Sequence, residues 1–178
     1  MSMAQYYTDL IISKNSVGPY ILIGHSLGAS VSFEMAGLLN LKGKSVPLLI
    51  VLDGPGCYKK QNTSPEEATQ WAAELITQSN HQSPNTSESD DTHWKELINV
   101  IIAHTAFSYN PDDKKVDRIL VIQAKDGNFN LDQWKYMSSI STKYYTVNGD
   151  HFSILKKPHI NETSKIIKEN IFTVLQKI

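Results

Sequence analysis

Two unbroken apolar runs, Tyr20-Ile21-Leu22-Ile23 and Pro47-Leu48-Leu49-Ile50-Val51-Leu52, stand out from a chain of otherwise mixed polarity. Short continuous runs bounded by turn residues read as strands buried on both faces of a parallel sheet. Between them, Leu27 to Leu41 is rich in Ala, Leu, Met and Phe and predicts a helix, stopped by Lys42-Gly43-Lys44. A third run, Arg118 to Ala124, predicts another buried strand, closed by a turn at Lys125-Asp126-Gly127. A short helix is expected over Leu131–Met137, then a partly alternating strand over Thr142–Val147. The terminal helix, about Asn161–Gln176, carries Ile166, Ile167, Asn170, Ile171 and Val174 toward the sheet. At the other end, residues 3–13 predict an amphipathic helix with Tyr6, Leu10 and Ser13 along one side and Tyr7 and Ile11 beside them.

The stretch from about 57 to 113 differs in character. It is polar, with two helical patterns and a Ser/Asn/Asp-rich break at 79–91 that reads as a loop. A helical insertion between consecutive strands has the form of an active-site lid; the plainer alternative is a surface hairpin that shapes nothing. Strand–helix alternation gives an α/β fold with a mostly parallel sheet and flanking helices. No repeat or linker divides the chain, so residues 1–178 form one domain with the lid inserted.

The first strand meets the first long helix through Gly24-His25-Ser26-Leu27-Gly28. A strand feeding a helix through Gly-x-Ser-x-Gly is the nucleophile elbow of the α/β-hydrolase fold, with the serine hydroxyl raised above the sheet on a strained turn. Small residues on both sides of the serine are expected because neighbouring backbone passes close. The following helix aims its N-terminal N–H groups at the reacting carbonyl, where negative charge develops.

Composition adds exclusions. A net charge of -1 gives no electrostatic reason to expect nucleic acid or an anionic membrane as partner. No apolar stretch approaches the roughly 20 residues of a membrane span, and Met1 is not followed by a signal-peptide core. The single Cys57 excludes an internal disulfide and suits a reducing compartment. The expected location is cytoplasmic.

A serine needs a base, and an imidazole base needs a carboxylate to fix its tautomer. His151 follows the last strand in a Gly-Asp-His turn, downstream of every candidate acid, which gives the Ser…Asp…His order of the fold. His25 reads as structural, His81, His93 and His104 fall in the lid, and His159 reads as solvated. No set of histidines has metal-ligand spacing together with a carboxylate, so no metal is expected.

The chain resembles the thioesterase domains that release products from fatty acid synthases, polyketide synthases and nonribosomal peptide synthetases. The resemblance rests on Gly18-Pro19-Tyr20-Ile21-Leu22-Ile23-Gly24-His25-Ser26-Leu27-Gly28-Ala29, Phe33-Glu34-Met35-Ala36, Leu52-Asp53-Gly54 and Val147-Asn148-Gly149-Asp150-His151. Ala4-Gln5-Tyr6-Tyr7 and Gln123-Ala124-Lys125 lean toward the animal fatty acid synthase branch. In most α/β-hydrolases the acid follows a later strand, which would select Asp126. In the thioesterase family it follows the strand after the nucleophile helix. The resemblance therefore implies Asp53, with Asp126 as the alternative and Asp150 as a turn residue.

The same resemblance implies an N-terminal portion, absent here, that bears further strands and a second oxyanion-hole N–H. Only the Leu27 N–H can be assigned to the hole. An N-terminally truncated fold with an open sheet edge is the expectation, with impaired activity and self-association through that edge. The implied function is a serine thioesterase acting on an acyl thioester, fatty acyl or polyketide, carried on the phosphopantetheine of an acyl carrier protein or upstream synthase domain. No dissociable cofactor is implied. The alternatives are a small serine carboxylesterase or lipase, and a catalytically weak remnant that binds acyl groups or a synthase.

Overall fold

The computed structural model describes residues 2–54, 116–127, 129 and 131–177. The expected lid, with Cys57 and the three histidines assigned to it, lies outside these residues.

Helix α1 (Met3–Lys14) precedes strand β1 (Ile21–His25), helix α2 (Leu27–Leu41) and strand β2 (Leu48–Leu52). Strand β3 (Val116–Ala124) is followed by a 3₁₀ segment, Asp132–Tyr136. Strand β4 (Ser138–Val147), a 3₁₀ turn at Ser153–Leu155 and helix α3 (Ile160–Leu175) complete the order. The four strands lie in sequence order and every neighbouring pair is parallel, with His25 opposite Leu52 and Ala124 opposite Val147.

All five residues of β2 are buried, because helices cover both faces of the sheet. Alternate residues point to opposite sides. Leu48, Ile50, Leu52, Leu120 and Ile122 pack with Val147, Ile154, Ile166 and Val174, the last two from α3. Their neighbours Leu49, Val51, Ile119 and Val121 are equally buried and face the other way, the side of α2, where Phe33 meets Trp134 edge-on at 5.8 Å.

Helix α2 ends as the Lys42-Gly43-Lys44 signal predicts. Gly43 takes the left-handed conformation (φ 67°), the Gly43 N–H donates to the Asn40 carbonyl, and the Lys44 N–H donates to that of Leu39. These paired bonds close the helix in a Schellman motif, which favours glycine at that position.

Four elements differ from expectation. Strand β1 is not buried on both faces: it is an edge strand of the described sheet, with no further described strand beside it, and leaves Ile23 exposed. Helix α1 spans the predicted residues but turns Ala4 and Thr8 inward, leaving Tyr6, Tyr7, Leu10 and Ser13 exposed. Small residues allow α1 to lie close against α2, so size outweighs hydrophobicity in choosing the inner face. Strand β4 begins at Ser138, earlier than the expected Thr142, because pairing with β3 organises a polar stretch that carries no apolar signal of its own. The expected helix over 131–137 is a five-residue 3₁₀ segment. Among the described residues, no helix is long and apolar enough to cross a membrane.

Candidate active site

In a parallel sheet, the loops that follow the strands gather at one edge, where α/β proteins place their chemistry. Ser26 follows β1, Asp53 follows β2, the Lys125-Asp126-Gly127 turn follows β3 and His151 lies in the loop after β4. Backbone hydrogen bonds tie this edge together. The Ser26 N–H donates to Leu52 O (3.1 Å), Asp53 N–H to Ile122 O (2.8 Å), and Asp126 N–H to Gly149 O (3.0 Å).

Ser26 occupies φ 56°, ψ -129°, a region that L-residues rarely adopt. The sharp reversal at this residue lets α2 begin at Leu27, with the Ala29 N–H donating back to the Ser26 carbonyl at 3.0 Å. A Cβ on Gly24 would lie 2.2 Å from the Gly28 carbonyl oxygen, so any larger residue there would push the elbow apart. Gly28 departs from expectation. Its own Cβ position is open among the described residues, because the crowding atom is its carbonyl oxygen.

Asp53 is fully buried and also has positive φ, 43°. Its Oδ1 accepts the Ala124 N–H at 2.9 Å, and its Oδ2 lies 2.9 Å from His151 Nδ1. A carboxylate accepts here, so Nδ1 carries the proton and Nε2 keeps its lone pair free. Asp126 is exposed in the β3 turn and bonds through its backbone. The structure thus gives the imidazole partner as Asp53.

The turn bearing His151 is built by Asp150. Its Oδ1 accepts the N–H groups of Phe152 (2.9 Å) and Ser153 (2.7 Å), and its own N–H donates to Ser153 Oγ (2.8 Å). This reciprocal pairing is the turn chemistry expected of Asp150. His151 is nearly buried among rings: His25 stacks on it at 4.6 Å, while Phe129 and Phe152 meet it edge-on, both at 5.0 Å. His25 Nε2 lies 2.8 Å from the His151 carbonyl oxygen, an acceptor, so Nε2 of His25 is the protonated nitrogen. Burial holds the pKa of His25 below the usual histidine value, and repulsion from His151 adds to it; the carbonyl bond and Asp53 act in the opposite sense.

His159 is half-buried rather than solvated. Its ring packs so close to Gly149 that a Cβ there would meet His159 Cδ2 at 2.8 Å.

Some contributors left no readable trace in the sequence. Gly127 reads as an ordinary turn glycine, yet a Cβ there would lie 2.9 Å from Asp53 Oδ1. Trp134 is fully buried and donates its Nε1–H to the Gly54 carbonyl at 2.9 Å, which anchors the residue after Asp53. Phe129 sits beyond the β3 turn with nothing to link it to a histidine so far along the chain.

The family model for the thioesterase domain matches residues 1–171. The chain belongs to the thioesterase domain family. This thioesterase domain is 29% identical over 199 residues to the non-reducing polyketide synthase ntnG of Nectria sp, covering 94% of this chain and 10% of that protein. It is 25% identical over 174 residues to surfactin synthase subunit 3 of Bacillus subtilis, covering 94% and 13%. The thioesterase domain therefore spans about a tenth of the length of these multidomain relatives. Its fold superposes on the surfactin thioesterase domain SrfTE with a TM-score of 0.71 at 19% identity, covering 94% of this chain and 74% of that one. The RedJ thioesterase of Streptomyces coelicolor gives 0.73 at 16% identity, covering 92% and 67%. The α/β-hydrolase architecture expected from the elbow is thus the architecture found.

Proposed function

We propose that this domain is a serine hydrolase that releases an acyl chain from a thioester. The observation that carries the proposal is the buried Asp53–His151 pair at the strand edge that also bears the strained Ser26. In this reading His151 Nε2 takes the Ser26 hydroxyl proton as Oγ attacks the thioester carbonyl. The oxyanion that forms faces the Leu27 N–H at the start of α2. Collapse expels the thiol, which takes the proton from His151 and leaves an acyl ester on Ser26. Water then attacks this ester, again with His151 as base, and frees the acid and the serine. Asp53 holds the imidazole tautomer throughout and stabilises its charged form. No dissociable cofactor takes part in these steps.

The thiol is proposed to be the phosphopantetheine of an acyl carrier protein, within a synthase or docked to one. The polyketide and peptide synthases among the relatives support a polyketide-type acyl group. The Ala4–Tyr7 and Gln123–Lys125 stretches support a fatty acyl chain.

The test combines labelling and turnover. Ser26 should label with a fluorophosphonate, and carrier-bound acyl thioesters should be hydrolysed faster than a simple oxygen ester of the same acid. Preference for the oxygen ester would make the protein a carboxylesterase. Absence of both labelling and turnover would leave only an acyl- or synthase-binding role.

A further inference from the structure

The residue before the serine in Gly-x-Ser-x-Gly is chemically unspecified, yet here its side chain, that of His25, reaches the loop after the sheet's last strand. The His25 ring lies over the His151 ring at 4.6 Å and 25°, and its Nε2–H donates to the main-chain oxygen of the same residue at 2.8 Å. One side chain therefore grips both the imidazole and the backbone of residue 151. Its own backbone is bonded directly to Ser26.

We infer that His25 is a positioning residue for His151, setting the plane of the imidazole relative to the Ser26 hydroxyl. The inference rests on the serine-hydrolase reading above. The physical need is plain. The hydrogen bond from Nδ1 to Asp53 fixes one ring atom but leaves the ring free to tilt about that bond, and a tilt swings Nε2 away from the serine. Phe129 and Phe152 stand at 69° and 82° to the ring, whereas His25 lies nearly parallel to it at 25°. A flat neighbour stacked on the ring blocks the tilt. The carbonyl bond stops the loop from carrying the whole residue outward. Both restraints start one residue from the nucleophile, so base and nucleophile move together rather than as independent loops.

Three substitutions in the full chain separate the two contacts. His25→Phe keeps a ring without the donor, His25→Gln keeps a donor of similar reach without the ring, and His25→Leu keeps neither. Two readouts are needed: kcat and KM on an N-acetylcysteamine thioester of a medium-chain acid, and the downfield His151 Nδ1 proton in the NMR spectrum. His25→Leu is expected to lower kcat on the order of 10²-fold, as an ångström-scale misplacement does, with KM little changed. It should also shift or broaden the Nδ1 proton, and each of the other two variants should recover part of both effects. Unchanged kcat and an unmoved resonance in His25→Leu would overturn the inference. So would losses that merely track the folded fraction while the resonance stays in place. If the wild-type chain turns over no thioester, the functional reading fails instead, and the resonance series still decides whether His25 orients His151.

Discussion

Gly127 stands so close to Asp53 that a Cβ on it would lie 2.9 Å from one carboxylate oxygen and 3.0 Å from the other. The β3 turn thus closes over the Asp53 carboxylate, and the missing side chain at Gly127 leaves the carboxylate room to reach both Ala124 and His151. Gly127→Ala should displace the carboxylate and loosen its bond to His151. A loss in kcat of about 10²-fold is expected, since geometry of this kind is sensitive to shifts near an ångström. Steady-state thioester hydrolysis checks it; a wild-type rate would mean that the turn yields instead of the acid.

Asp53→Asn should cost far more than Asp126→Asn. The amide would present the wrong partner to Nδ1 and favour the wrong imidazole tautomer, a change worth roughly 10⁴-fold in kcat in a comparable triad. Asp126 is exposed and holds the site through its backbone alone, so its amide variant should stay within a fewfold of wild type. Side-by-side rates in the reverse order would transfer the acid role to Asp126.

The strain at Ser26 predicts an inverse relation between stability and chemistry. Ser26→Ala and Ser26→Gly both remove the hydroxyl and should both abolish fluorophosphonate labelling. They differ in the Cβ held at φ 56°. Relief of a sparsely populated conformation is worth roughly 1–3 kcal/mol, against about 0.4–1 kcal/mol for glycine's freedom in the unfolded chain. Ser26→Gly should therefore be the more stable of the two in urea titrations. The opposite ranking would show that the elbow relaxes around alanine.

Trp134→Phe removes the donor to Gly54 O while keeping most of the ring's bulk. A buried carbonyl left without its partner should destabilise the domain by about 1–3 kcal/mol. Because Gly54 follows Asp53, kcat should fall as well. An unchanged denaturation midpoint would indicate that another donor reaches the carbonyl.

The depressed pKa of His25 gives a pH dependence with a definite sign. The unfolded chain takes up this proton more readily than the folded one, so the stability contribution is complete above the ordinary value of 6.5 and is lost as pH falls through and below it. His25→Phe cannot take up the proton, so its denaturation midpoint should fall less steeply between about pH 7 and 5 than that of wild type. Parallel curves would mean that His25 accepts its proton without cost in the fold.

Much of this protein was legible along the chain because its signals are local. The apolar runs that became β2 and β3 are largely buried and need no alternation to be seen, and the run that became β1 was legible as a strand although Ile23 is exposed at the sheet edge. Gly43 behind Lys42 marked the end of α2, and the elbow pentapeptide placed Ser26 between strand and helix. The order of Ser26, Asp53 and His151 along the chain set the candidates, since each follows a strand of the same parallel sheet. Tertiary structure decided what depends on approach between distant segments. That His151 Nδ1 meets Asp53, the residue the family resemblance implied, and not Asp126 is a distance that two Asp-Gly turns of similar appearance do not by themselves encode. The inward face of α1 was set by the closeness of α2, which favoured Ala4 and Thr8 over larger apolar residues. Gly127, Trp134 and His25 act on partners far away in sequence, so their roles appear only when the sheet brings the strand ends to one edge.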